Sequence, residues 1–122
     1  MNFNIQSRGF DLTEAIRSRF EDSIRNKLGK IIDLDADNVS LFAEVEKTTG
    51  ANNGEDLYHA QLIVRISGDE HYSKEEMHDM YMAIDKVCDE IFHIVNKKND
   101  KEKDLERREG KKFKKMLRKL GL

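Results

Sequence analysis

The longest regular pattern in the chain runs from Asp79 to Lys101. Apolar residues recur there at alternating steps of four and three, which is the spacing of an amphipathic α-helix. The positions are Met80, Ile84, Val87, Ile91 and Ile94, with Tyr81, Cys88 and Val95 beside them. We therefore expect a helix that buries this stripe against the protein, begins at an acidic residue and ends in lysines.

A second, shorter helix is predicted after residue 11. Asp11 is followed three residues later by Glu14, which resembles a capping box at a helix N-terminus. The apolar face recurs at steps of four and consists of Leu12, Ile16, Phe20, Ile24 and Leu28. Gly29 and the acidic run from Asp33 to Asp37 end the predicted helix.

Elsewhere apolar and polar residues alternate with a period of two, which is typical of strands. The predicted strands are Asn2 to Arg8, Val39 to Glu46, Tyr58 to Ile66 and a short one from Glu70 to Lys74. Turn residues from Gly50 to Glu55 favour a hairpin between the second and third strands. The order βαβββα predicts an α+β two-layer sandwich, with a four-stranded, mostly antiparallel sheet and both helices on one face.

Composition narrows the class of protein. The chain has 122 residues, 38% of them charged, and a mean hydropathy of -0.76. No apolar run approaches the roughly 20 residues of a membrane span, and the N-terminus lacks the basic and apolar regions of a signal peptide. We therefore expect a single-domain cytoplasmic protein without membrane contact.

The two ends of the chain differ in charge. Residues 1–96 contain 10 Lys+Arg and 19 Asp+Glu, a net of -9, and residues 97–122 contain 12 and 5, a net of +7. We divide the chain into a domain, 1–101, and a basic C-terminal tail, 102–122. The tail repeats apolar residues at i, i+3, i+4 and i+7, which are Phe113, Met116, Leu117 and Leu120. This predicts a short amphipathic helix that becomes ordered on a partner: an RNA backbone, an acidic protein groove or an anionic membrane.

Catalytic patterns are scarce. The histidines His59, His71, His78 and His93 are dispersed without metal-ligand spacing, and no glycine-rich phosphate loop is present in the sequence. The single cysteine, Cys88, falls beside the apolar stripe and is interpreted as a small buried hydrophobe. We predict a binding protein rather than an enzyme, with no catalytic residue, cofactor or metal.

Four segments together resemble the ribosome hibernation promoting factor and ribosome-associated inhibitor A family. Asp79 to Asp85 (DMYMAID) is similar to that family's D-M-Y-x-A-I-D/N signature. Thr13 to Arg17 is similar to the start of its first helix, Lys27 to Lys30 to its K-L-E-K segment, and Val45 to Thr49 to the end of its second strand. The resemblance covers about residues 1–101 and matches the family in order and spacing.

The resemblance implies a factor that binds the small ribosomal subunit through ribosomal RNA, where messenger and transfer RNA otherwise sit. Such a factor inhibits translation in idle, stressed or stationary-phase cells. By matching position, the implied RNA-binding residues are Arg17, Lys27, Lys30, Lys47, Lys97, Lys98 and Lys101, and the outward-facing Lys86 is added to them. Only about twenty residues follow the match, so the chain resembles the short form. We expect a monomer off the ribosome, with a tail that contacts RNA or another protein, or self-associates.

Three positions depart from the family pattern. Glu44, Glu90 and His93 stand where members often carry a basic residue, so each lowers the expected affinity for phosphates. We hypothesise that the basic tail compensates. Two alternatives stay open: a protein-interaction regulator of the sigma-factor modulation type, and a general double-stranded-RNA-binding protein.

Overall fold

The computed structural model describes residues 1–49 and 54–119, of which 100–119 are described as helix backbone only. The elements are β1 (Phe3–Arg8), α1 (Glu14–Lys27), β2 (Val39–Thr49), β3 (Asp56–Ile66), β4 (Asp69–Met77) and α2 (Met80–Lys119). A single 3-10 turn, Leu28–Lys30, extends α1. The predicted order βαβββα is confirmed. The predicted hairpin turn lies largely outside the described residues.

The four strands form one sheet in the order β1-β2-β3-β4. β1 pairs with β2 in parallel, and the other two pairs are antiparallel. The strand residues that point toward the helices are buried, and they include Leu41, Ala43, Leu62 and Val64. Both helices lie on this inner face, as predicted. We call the opposite, uncovered side of the sheet the outer face.

The core lies between the sheet and the two helices. The largest fully buried side chains are Phe20, Ile24 and Leu28 from α1 and its 3-10 turn, Leu41, Val45, Leu62 and Val64 from the strands, and Ile84, Val87, Cys88 and Ile91 from α2. Burial raises the pKa of the Cys88 thiol to about 12. A thiolate at neutral pH is thereby excluded, which confirms that Cys88 acts as a buried hydrophobe.

The buried stripe of α2 differs from the predicted one at two positions. Ile94 and Tyr81 are 42% and 41% exposed, although both were predicted to be buried. After Ile91 the stripe continues with a step of four to Val95, which is buried, and the register therefore leaves Ile94 beside it. Tyr81 lies on the side of α2 that faces α1, where its ring lies 5.7 Å from the Arg19 guanidinium. A cation over an aromatic face is favourable without full burial.

The second helix is longer than predicted. α2 was predicted to end near Lys101, but it continues without a break to Lys119, so the tail prolongs α2 rather than forming a separate short helix. A continuous helix of 40 residues is about 60 Å long. Within the described part of the chain, no helix is long and apolar enough to cross a membrane.

The fourth strand is also longer than predicted, running from Asp69 to Met77 instead of Glu70 to Lys74. Its inward-facing positions are mostly polar, with Ser73 buried and Glu75 half-buried. An edge strand with polar residues on its inner face lacks the apolar alternation from which strands are recognised in sequence. The sequence therefore predicted too short a strand, because the side chains between β4 and α2 are mostly polar.

The first helix begins later than the capping box suggested. Thr13 is the N-cap, and its side-chain oxygen accepts a hydrogen bond from the Ile16 amide at 3.2 Å. Asp11 is exposed and precedes the cap. Gly9, just upstream, has a positive φ of 79°, and a Cβ there would lie 2.5 Å from the Lys47 carbonyl oxygen. This turn from β1 into α1 thus requires glycine.

Charged groups bridge the two helices. The Arg19 guanidinium donates two hydrogen bonds to the Asp85 carboxylate, at 3.2 and 2.5 Å. The Lys27 ammonium donates to the Asp85 carbonyl oxygen at 2.8 Å and lies 2.9 Å from a carboxylate oxygen of Asp89. The hydrogen bond from Arg19 is the main reason that the pKa of Asp85 is lowered. We call these four residues the interhelical bridge.

The N-cap assignment predicts different effects for two neighbouring residues. Thr13→Ala should lower the free energy of unfolding by about 1 kcal/mol, because the Ile16 amide loses its partner. Asp11→Ala should change it by less than about 0.5 kcal/mol. Urea unfolding followed by circular dichroism measures both. A larger loss for Asp11→Ala than for Thr13→Ala would contradict the assignment.

The lowered pKa of Asp85 predicts a pH-dependent contribution to stability. An acid whose pKa is lower in the folded state stabilises the fold above its ordinary pKa, here 3.8, and this contribution is lost as the pH falls through the folded-state pKa. Asp85→Asn should therefore be less stable than wild type at neutral pH, and the difference should shrink on acidification below 3.8. Urea titrations at several pH values measure it.

The matched control is Asp37→Asn, because Asp37 is exposed and makes no ion pair within the described residues. Its stability should follow that of the wild type at every pH. Comparison with wild type cancels the titration of all other groups, which the variants share. A difference between Asp85→Asn and wild type that stays constant with pH would show that the charge of Asp85 is not the stabilising feature.

Candidate nucleic-acid interface

Two polar stripes flank the buried face of α2. Residues on a helix at steps of four share a face. One row begins beside α1 and contains Asp85, Asp89, His93 and Lys97, and the other begins beside β4 and contains Lys86, Glu90, Ile94 and Lys98. Each step of four residues turns about 40° around the helix axis, so the first row winds away from α1 and its last two residues are exposed. We call the two rows the α1-side stripe and the β4-side stripe. The predicted basic residues of α2 are divided between the two.

The β4-side stripe is largely engaged with the edge strand. Lys86 lies 3.4 Å from a carboxylate oxygen of Glu75, and Lys98 pairs with Asp69. The buried Ser73 hydroxyl donates a hydrogen bond of 2.5 Å to Glu90. Because Glu75 and Glu90 share a hydrogen bond, the pKa of Glu75 is raised and that of Glu90 is lowered. This seam is a structural contact that uses two of the predicted RNA-binding lysines.

The net charge of the α1-side stripe changes along its length. Its first two residues, Asp85 and Asp89, are neutralised by Arg19 and Lys27 in the interhelical bridge. Beyond them follow His93 and Lys97, both exposed. Neither His93 nor Lys97 makes an ion pair within the described residues. The stripe is therefore electrically balanced where it begins and carries net positive charge toward its C-terminal end.

The C-terminal ends of α1 and of the packed part of α2 lie at the same end of the sandwich. Ile31, just after the 3-10 turn, and Asn99 on α2 line one cleft of about 230 Å³. The exposed Lys30 ends the 3-10 turn, and the exposed Lys97 lies two residues before Asn99. We call this region, with Lys30, Lys97 and the α2 backbone from residue 100 onward, the basic end.

The predicted RNA-binding residues fall into three groups. Ion pairs with the protein's own carboxylates involve Lys27, Lys47, Lys86 and Lys98. No ion pair within the described residues involves Arg17, Lys30 or Lys97. For Lys101 only the backbone is described. Half of the predicted set is thus already partnered, and Lys30 and Lys97 are the two that lie at the basic end.

Two predicted residues lie apart from the basic end. Lys47 is near the end of β2, 3.4 Å from a carboxylate oxygen of Asp56 at the start of β3. This is the opposite end of the sandwich, where α2 begins. Arg17 is half-buried in the first half of α1. The structure therefore does not gather all eight predicted residues into one patch.

The three departures from the family pattern occupy different surfaces. Glu44 lies on the outer face, where it accepts a hydrogen bond of 2.6 Å from Gln6 and pairs with Arg8 at 3.2 Å. Glu90 is directed to the β4 seam. His93 alone lies on the α1-side stripe, and its ring contacts that of Phe92 edge-on, with centroids 5.5 Å apart. Of the three, His93 is the one that is exposed on α2 without an ion pair within the described residues.

Structure adds two cations to the candidates. Arg25 is exposed on α1 and lines a cleft of about 260 Å³ with Asp33 and Asp35, one turn before Gly29. Arg19 lines a cleft of about 390 Å³ between the helices, beside its partner Asp85. The partners of Arg19 lie 66 positions away along the chain. No local sequence pattern indicates such a contact.

The signature Asp79 to Asp85 has a structural explanation. Asp79 caps α2, accepting a hydrogen bond of 3.0 Å from the Met82 amide. Met80, Ala83 and Ile84 are buried. The Tyr81 ring contacts the Arg19 guanidinium, and the Asp85 carboxylate accepts a hydrogen bond from Arg19 on α1. Six of its seven residues therefore fix the start and orientation of α2. Met82 alone is prominently exposed, at 56%.

Comparisons with known proteins agree with this architecture. The N-terminal domain of Thermus thermophilus Protein Y superimposes with a TM-score of 0.59 and 26% sequence identity, over 80% of this chain and 98% of that one. A ribosomal subunit interface protein from Coxiella burnetii superimposes with a TM-score of 0.60 and 17% identity, over 82% and 99% of the two chains, which shows a common fold. A search of curated proteins finds no match.

A family model described as Sigma 54 modulation protein / S30EA ribosomal protein matches residues 3–103. The match spans all four strands, α1 and the packed part of α2, and it ends where the basic tail begins. It also contains the capped and bridged signature whose residues set the packing of the helices. The chain therefore belongs to the Sigma 54 modulation protein / S30EA ribosomal protein family.

Proposed function

We propose that this protein is a ribosome hibernation factor that binds the small ribosomal subunit through ribosomal RNA and inhibits translation in idle cells. Family membership supports a ribosome-associated role, and the structural relative from Coxiella burnetii is a ribosomal subunit interface protein. In this proposal the bound protein lies in the path of messenger and transfer RNA. It acts by occupancy, without a catalytic step.

The observation that carries the proposal is the basic end. Lys30 and Lys97 are exposed at the same end of the sandwich, on two helices that the interhelical bridge holds in fixed relation. Phosphate binding releases counterions, so each cation that is free to contact a phosphate adds to affinity and to its salt dependence. Two helix ends with rigid spacing form a surface that matches RNA by shape as well as charge.

The carboxylates of the bridge determine which cations remain available. Asp89 lies 2.9 Å from Lys27 and is 56% exposed, so it both neutralises a lysine and faces solvent near the proposed RNA. Exposed ion pairs are weak and exchange readily with other charged partners. Lys27 therefore becomes available to phosphate only at the expense of its contact with Asp89.

The tail supplies further positive charge for binding RNA in this proposal. Residues 97–122 carry 12 basic and 5 acidic residues, and α2 continues through them to Lys119. In the proposal this helical extension runs from the basic end and adds phosphate contacts beyond the domain. It compensates for the net charge of -9 over residues 1–96, which alone disfavours RNA.

The proposed binding site predicts a specific pattern of competition. Purified protein should sediment with small ribosomal subunits, and messenger RNA together with initiator transfer RNA should displace it, because they occupy the same path. An unrelated RNA duplex at equal phosphate concentration should displace it far less. Equal displacement by any duplex would indicate a general double-stranded-RNA-binding protein, and failure to sediment would favour the protein-interaction regulator.

The charge geometry predicts opposite effects at two positions on the α1-side stripe. Lys97→Gln should weaken binding to the small subunit and reduce the slope of log affinity against log salt by roughly one. Asp89→Asn should strengthen binding and steepen the slope, because it removes a carboxylate and releases Lys27. Binding measured by filtration or sedimentation over a range of salt concentrations gives both quantities.

The outer face offers controls with the same charge changes. Lys74→Gln and Glu70→Gln alter exposed residues of β4 that point away from the helices. Each should leave affinity and salt slope nearly unchanged. If each control shifts affinity as much as its counterpart on the α1-side stripe, the net charge of the protein and not the proposed surface controls binding.

A further inference from the structure

The outer face of the sheet carries an uncovered row of apolar side chains. Phe42, Ile63 and Tyr72 are directly opposite one another on β2, β3 and β4. Phe42 is 37% and Tyr72 is 52% exposed, and a cleft of about 320 Å³ opens beside Phe42 and Ile63. None of the described helices or strands packs on this face. We call these three residues the outer row.

The charges around the outer row disfavour RNA as its partner. The outer positions of the strands carry four carboxylates, Glu44, Glu46, Glu70 and Glu76, and three cations, Arg8, Arg65 and Lys74. Arg8 pairs with Glu44 at 3.2 Å and Arg65 with Glu70 at 3.8 Å. Glu46, Glu76 and Lys74 remain, which gives the outer positions a net charge of -1, and a carboxylate oxygen of Glu76 lies 3.6 Å from the His59 ring. An apolar row bordered by more carboxylates than cations suits a basic, amphipathic protein segment.

The chain itself contains a segment of that chemistry. In the tail, Phe113, Met116 and Leu117 recur at i, i+3 and i+4 among lysines and arginines, and α2 is helical as far as Lys119. A helix laid along the outer row rises 5.4 Å per turn, close to the 4.7–4.9 Å between neighbouring strands. Successive turns of the tail helix would thus meet successive strands of the sheet.

The tail cannot reach the outer row of its own sheet while α2 remains continuous. α2 packs on the inner face, and Val95 is the last residue of the described side chains that is buried. From Val95 to Lys119 the helix rises about 36 Å away from the domain. A continuous helix does not fold back around the sheet, so the row available to the tail belongs to another molecule.

We propose that the basic tail of one copy docks as a helix on the outer row of a second copy, and that the tail of the second copy docks in the same way on the outer row of the first. The assembly is a symmetric dimer with two identical tail-to-sheet contacts. Opposite charges of the tail and the domain, +7 for residues 97–122 and -9 for residues 1–96, attract the two copies at long range.

This dimer is an alternative to the monomer that was predicted from the sequence. The inference does not rest on the proposed ribosome binding, because it is tested on the protein alone. The two are linked, however, through the tail. A tail docked on a sheet does not contact RNA phosphates, so dimer formation and ribosome binding oppose each other.

Two full-length variants and their mixture test the contact by sedimentation velocity. The tail variant carries Phe113→Gln and Leu117→Gln, which preserve charge and helix propensity. The sheet variant carries Phe42→Thr and Tyr72→Thr, which preserve strand propensity. Wild type should dimerise, and each variant alone should dimerise at least about tenfold more weakly. Their mixture should form a heterodimer, since one intact tail meets one intact sheet. Circular dichroism melts confirm that each variant is folded.

The two variants and their mixture distinguish a tail-to-sheet dimer from tail-to-tail and sheet-to-sheet dimers. A sheet variant that dimerises like wild type would show that tails pair with each other, and a tail variant that does so would show that sheets pair. Either result overturns the proposal, as does a monomeric wild type or a mixture that remains monomeric. A heterodimer that weakens as salt is raised supports it, because the attraction is between opposite charges.

Discussion

The packing of α2 against α1 and the sheet determines where every charge of this domain is placed. One stripe of α2 is buried, from Met80 through Ile84 and Ile91 to Val95. That orientation turns one neighbouring stripe toward α1 and the other toward β4. Asp85 fixes it by accepting two hydrogen bonds from Arg19, and the cap at Asp79 fixes where the helix begins. A slip of α2 by one residue would turn the helix by about 100° and would bring charged side chains of one stripe into the core.

Charge balance inside the domain bears on how a protein with a net acidic body could bind RNA in the proposed complex. Much of its positive charge is neutralised internally, as Lys27 is by Asp89 and Lys86 by Glu75. Affinity for a polyanion depends on cations that are free to contact phosphates, and not on the total count. In the proposed complex, the carboxylates beside the lysines would therefore set the strength of binding, and the positions of Lys30 and Lys97 would set its place.

The sequence predicted the order of helices and strands well, because the patterns that indicate these elements are local. Apolar steps along α1 and α2 and alternation in β2 and β3 suffice for the order βαβββα. It failed at the cap, where Asp11 and Thr13 are both suitable residues and only Thr13 accepts the hydrogen bond from Ile16. It also failed at the length of β4, whose polar inner positions contact residues of α2 that are distant in the chain. The candidate site was predicted less completely, because sequence shows that Lys86 and Lys98 are basic but not that Glu75 and Asp69 already pair with them.

A single tail that serves two surfaces couples those surfaces thermodynamically. In the proposed dimer the tail lies on a sheet, and in the ribosome-bound state it lies on phosphates, so each partner lowers the apparent affinity for the other by the same factor. Dimer formation depends on the square of protein concentration and ribosome binding on its first power. Dilution therefore favours the monomer with a free tail. The continuity of α2 is what makes this coupling possible, because a helix that cannot return to its own sheet leaves the tail available to an external partner.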